Sequence, residues 1–129
     1  MVLYLGAVRE DDSAYRLENI RKLCAFVKNH PDLGPILSEW AGVVPLSGRE
    51  SIPGLEFVGF DYPLRLTDSA KRAFYLPVND DLRQALRDRI PALYIVWEAP
   101  DPKLLVVADS HYATVGVFDR IVVYARQQR

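Results

Sequence analysis

The sequence predicts an α+β fold: a mainly antiparallel sheet with about three helices packed on one face, forming a single domain over residues 1–129. Three observations predict it. The chain is 129 residues long, half hydrophobic and about a quarter charged, which is ordinary globular composition. Apolar residues recur at helical spacing in some stretches and run on continuously, as in strands, in others. Helix-like and strand-like stretches also do not alternate regularly enough for a doubly wound parallel sheet. A chain of this length buries roughly two-thirds of its unfolded surface, so it needs neither a disulfide nor a metal to fold.

Residues 2–8 are continuously apolar and predict a strand buried on both faces. Asp11, Asp12 and Ser13 then offer helix N-caps. Ala14, Leu17, Ile20, Cys24 and Val27 follow at spacings of three and four, which places them on one helical face. Glu18 and Lys22 stand four apart in the favourable order, and Pro31 ends the helix near Asn29. A second, shorter helix is expected from Leu33, Ile36, Leu37 and Trp40, with Pro35 in its first turn and Gly42 at its C-cap.

Residues 45–54 hold two prolines, two glycines and two serines and predict a loop. Residues 55–60 and 64–66 read as strand pieces, and 73–76 as a further short strand unless 67–71 begin a helical turn. Asn79 caps a helix over 80–90, with Asp80 and Asp81 in its first turn and Arg87 and Arg89 in its last, matching the helix dipole. Residues 92–98 and 104–109 are nearly all apolar. They read as central strands of a hairpin joined through 99–103. Residues 113–125 fit either a helix or a strand. Their Val, Ile, Thr, Tyr and Phe content tips the reading to strand.

Charge is nearly balanced, with sixteen basic and seventeen acidic residues, and no segment forms a basic arm or an acidic tail. This argues against nucleic acid as a partner, which usually needs a positive face. One cysteine allows no intrachain disulfide and suits a reducing compartment. The apolar stretch at residues 1–8 lacks a basic leader and is too short to span a bilayer, so a soluble, cytoplasmic protein is expected.

The motifs for named chemistry are missing. The two histidines, His30 and His111, show no metal-ligand spacing, and neither glycine-rich phosphate-loop pattern occurs, so no metal and no cofactor is expected. The strongest local cluster is Asp109-Ser110-His111-Tyr112. There Asp109 and His111 could orient one another and Ser110 or Tyr112 could give a proton, although neighbours in sequence seldom converge as a triad needs. Cys24 on an apolar helix face reads as packing. A second clue is aromatic: Phe57, Phe60, Tyr62, Phe74 and Tyr75 are interleaved with Arg65, Lys71 and Arg72. Exposed aromatics beside arginine are typical interface anchors, while inward-facing ones would fill a core.

The leading expectation is therefore a small protein acting by protein–protein binding: an adaptor, inhibitor, immunity-type protein or assembly subunit. Its candidate binding residues are Arg49, Glu50, Tyr62, Arg65, Arg72 and Tyr75. The alternative is a small cofactor-independent hydrolase or transferase built on Asp109, His111 and Tyr112. A third is self-association through a sheet edge or through the apolar run Ile121, Val122, Val123 and Tyr124, which something must cover.

Overall fold

The computed structural model describes residues 17–40, 42–53, 55, 67–73, 79–96 and 102–127. In chain order the elements are α1 (Leu17–Asn29), β1 (Ile36–Ser38), α2 (Val43–Ser47), α3 (Asp68–Ala73), α4 (Asn79–Arg87), β2 (Leu93–Val96), α5 (Pro102–His111), β3 (Tyr112–Phe118) and β4 (Ile121–Arg126). The strands form one four-stranded sheet in the order β1-β2-β4-β3. β1 lies parallel to β2, while β4 runs antiparallel to both β2 and β3.

The sheet is buried from both sides. Ile36, Leu93, Ile95, Ile121, Val123 and Ala125 project to one face and pack under Leu23 and Val27 of α1 and Val43 of α2. Leu37, Tyr94, Val96 and Tyr112 project to the other and meet Leu82, Ala85 and Leu86 of α4 and Leu104, Val107 and Ala108 of α5. β2 is central and buried throughout, which is why Leu93-Tyr94-Ile95-Val96 carries no polar residue. β4 alternates between fully and partly buried positions. β3 is largely exposed after Tyr112.

Several expectations change. The sheet is mixed rather than mainly antiparallel, because β1 and β2 are joined by a helical crossover instead of a hairpin. Five helices are present among the described residues, and helices cover both faces rather than one, α1 and α2 on one side and α4 and α5 on the other. Residues 104–109, expected as a strand, lie in α5. Pro102 takes the first helical position, and Leu104, Val107 and Ala108 fall at helical spacing onto the α4 side of the core. A short apolar run does not reveal its own period, and packing decided it.

Residues 36–38, expected in a helix, form β1, where pairing along β2 outweighs the local helical spacing. The expected loop at 45–54 begins three residues late. Pro45 sits inside the first turn of α2, where its missing N–H costs nothing, and Gly48 ends the helix at φ 71. The strand reading of 113–125 matches β3 and β4, joined by a tight turn at Asp119 and Arg120. The readings at 2–8, 11–13, 56–60, 64–66 and 74–76 lie outside the described residues.

Candidate functional site

At the end of the sheet where β4 finishes, two arginines hold the molecule together. Arg126 grips the Asp32 carboxylate with both arms, Nε to Oδ2 at 2.7 Å and Nη2 to Oδ1 at 2.8 Å. Its Nη1 donates to the carbonyls of Arg89 and Ile90, just past α4. Arg49 is buried and donates to the carbonyls of Val27, Asp32 and Gly34. Both guanidiniums therefore satisfy carbonyls at helix C-terminal ends, where a cation also suits the helix dipole. The Arg126 hydrogen bonds hold the Asp32 carboxyl below its usual value, against the opposing effect of burial, and the Gly34 N–H helps. Gly34 is small by need, since a Cβ there would come within 2.7 Å of Arg126 Nη2.

These contacts answer the question of Arg49. Its side chain is committed inside the chain, while Glu50 beside it is exposed and accepts the Ile36 N–H through its backbone carbonyl. Arg72 is exposed on α3 and lies 4.0 Å from Asp81. Lys71 is buried. Tyr62, Arg65 and Tyr75, and with them Phe57, Phe60 and Phe74, lie outside the described residues.

The 109–112 cluster straddles the junction of α5 and β3. Asp109 and Ser110 are exposed, and the Ser110 hydroxyl bonds back to the Val106 carbonyl. His111 is half-buried with an unpartnered Nδ1. Tyr112 is buried, and its hydroxyl donates to the Pro91 carbonyl at 2.7 Å. Burial pushes that phenol far above its ordinary value, so it stays protonated. No hydrogen bond links the four to one another. Among the described residues no group of His, Cys, Asp and Glu gathers as metal ligands would.

A concavity lies on the outer side of α1. It is a groove of about 410 Å³ between α1 and Leu46 of α2. Leu17, Ile20, Cys24, Ala25 and Leu46 make its apolar lining, and Arg21 and Lys28 stand along it. Leu17 is 61% and Leu46 59% exposed, an unusual state for two leucines in one concavity. The Cys24 thiol is free and buried, and burial raises its pKa, so it behaves as an apolar surface. Arg21 and Lys28 form no ion pair among the described residues.

The sequence did carry a signal for this groove. The spacing places Ala14, Leu17, Ile20, Cys24 and Val27 on one apolar face of the helix. Cys24 and Val27 of that predicted stripe are indeed buried, together with Leu23, and Ile20 packs partly against the core, while Leu17 at the start of the helix is left exposed on the groove.

Compared with known proteins, the chain matches no family model, no curated protein and no solved structure. Among the described residues no helix is long and apolar enough to cross a membrane.

Proposed function

We propose that the chain is a protein-binding module whose α1–α2 groove takes an amphipathic helix from a partner, apolar toward the groove and acidic at its flanks. The observation that supports this reading is the groove itself, with exposed leucines on its lining and two basic residues, Arg21 and Lys28, seven positions apart on one helix. Residues seven apart on a helix stand on the same side two turns apart, so they address both ends of a short docked helix. Among the described residues no acidic side chain lines the groove; Glu18 pairs with Lys22 on the helix surface at 3.1 Å. Each apolar side chain that such a helix buries contributes about 1.5–3 kcal/mol, so two or three anchors supply about 3–9 kcal/mol before the costs of association, which makes the interaction a weak, transient one.

Selection of helical peptides against the immobilised chain tests this. The expected winners carry apolar residues at spacings of three and four with Asp or Glu at the ends. Their affinity should fall about tenfold for Lys28→Glu and further for Leu46→Asp, since tenfold corresponds to about 1.4 kcal/mol. Both positions are exposed, so the fold should survive and circular dichroism should not change. Peptides indifferent to both substitutions, or no enrichment at all, would sink the reading.

A further inference from the structure

We infer that the helix taken by the α1–α2 groove enters it with two side chains one turn apart, one aliphatic and one aromatic, the aromatic one over Ala25. This deepens the groove reading and rests on it.

A side chain of one helix packs into the diamond that residues i, i+3, i+4 and i+7 form on another. α1 lines the groove with Leu17, Ile20, Arg21, Cys24, Ala25 and Lys28. These residues are two such diamonds laid end to end. Leu17, Ile20, Arg21 and Cys24 make the first, and Arg21, Cys24, Ala25 and Lys28 make the second. The second is the first moved four residues along α1, about 6 Å at 1.5 Å per residue. Side chains four apart on a docked helix running nearly along α1 have the same offset, whichever way that helix points. Side chains three apart fall short by about 1.5 Å.

The two diamonds are unequal. Leu17 and Ile20 bring bulk to two corners of the first, which leaves room for a short branched side chain. The second has small residues at two corners: Cys24, buried as its floor, and Ala25, exposed. Its other corners, Arg21 and Lys28, are exposed cations at its two ends. Their methylene stems offer apolar walls, and their charges are drawn to the negative face of an aromatic ring. Leu46 of α2 adds an apolar wall that α1 does not supply. The volume agrees with one side chain of each kind. A groove of about 410 Å³ holds on the order of a dozen heavy atoms at roughly 30 Å³ each, and a phenylalanine plus a leucine side chain supply about eleven.

A second copy of the chain is a poor occupant. α1 laid on α1 in either direction sets Arg21 and Lys28 of one copy beside those of the other, like charge against like.

A displayed library tests this on the full chain. Its members are alanine-based helices with glutamate at both ends. Two positions, three or four apart, are varied over Ala, Val, Leu, Phe and Trp. The library is panned against the parent and against Ala25→Leu, with Leu46→Asp as the groove control. Ala25 is exposed and leucine is a strong helix former, so the circular dichroism of Ala25→Leu should match the parent. The parent should enrich a spacing of four, with one aliphatic and one aromatic residue. Ala25→Leu fills the second diamond, so it should keep the aliphatic residue and turn the aromatic position to Ala. In a winning peptide, Phe→Ala should weaken binding to the parent about tenfold and to Ala25→Leu by less than about twofold, read by fluorescence anisotropy. Equal enrichment at a spacing of three, aliphatic residues at both positions, or the same aromatic winner on both chains would overturn this inference and leave the groove reading standing. No enrichment, enrichment that Leu46→Asp leaves unchanged, or self-association of the parent that Leu46→Asp abolishes would overturn the groove reading and this inference with it.

Discussion

The hydrogen bonds around Asp32 give that residue a weight its sequence context does not announce. Its carboxylate is held by both arms of Arg126, its carbonyl accepts from Arg49, and its N–H donates to His30 Nδ1 at 3.2 Å. One short segment thus pins the end of α1 to the end of β4 and, through Arg126, to the end of α4. Asp32→Asn should cost about 2 kcal/mol at neutral pH, below the 3–5 kcal/mol of a fully buried pair because both side chains keep some solvent contact. The pH dependence has a definite sign. Because the folded carboxyl titrates below its unfolded value of about 3.9, its contribution is present above that pH and disappears as pH falls through the folded value. Urea unfolding of both proteins at pH 7 and pH 3 checks this. The gap between them should narrow at the lower pH, and a constant gap would show that the charge pair carries no stability. Little of this was legible beforehand, because the contact joins residues 94 positions apart and no local pattern encodes it.

At the scale of elements, the turn between β3 and β4 offers a sharp case. Asp119 stands at φ 60, in the left-handed region, at the first position between the paired residues Phe118 and Ile121. Asp tolerates that conformation, Gly adopts it freely, and a β-branched residue does not. Asp119→Val should therefore lose about 1–2 kcal/mol, while Asp119→Gly should lose nothing measurable, both read from thermal unfolding. A Val variant as stable as the parent would mean that the turn readily takes another form. Elements governed by local chemistry were readable in this way. α1 and α4 announced themselves through spacing, charge placement and the stop at Pro31, and the C-terminal segment through its β-branched residues. Elements governed by distant partners were not. β1 owes its three residues to the edge of β2, and α5 owes its helix to the α4 side of the core, so Ile36-Leu37 and Leu104–Val107 read plausibly as the wrong type. The groove was missed for a related reason. How much of the apolar face of α1 is left uncovered, Leu17 in particular, depends on what α1 packs against.

For the molecule as a whole, the decisive fact is that one sheet serves two cores. Ile95 is fully buried on the α1 face, while its neighbours in β2, Tyr94 and Val96, are buried against α4 and α5. Loss of packing on either side therefore weakens the same strands, on which both helical layers pack. Leu86→Ala, in the α4 layer, and Ile95→Ala, in the sheet, each remove a side chain with no solvent exposure and should each cost about 2–5 kcal/mol. The two-core arrangement predicts more than the size of these losses. Both variants should still unfold in one cooperative step, with far-ultraviolet circular dichroism and aromatic fluorescence following the same curve. Each midpoint should also drop without a change in the slope of the urea dependence. Were the layers independent, Leu86→Ala would melt α4 and α5 first and leave α1 on an intact sheet, splitting the two signals. Coincident curves would show that the apolar run at β2, buried on both faces, is the element through which the α1 layer and the α4–α5 layer stand or fall together.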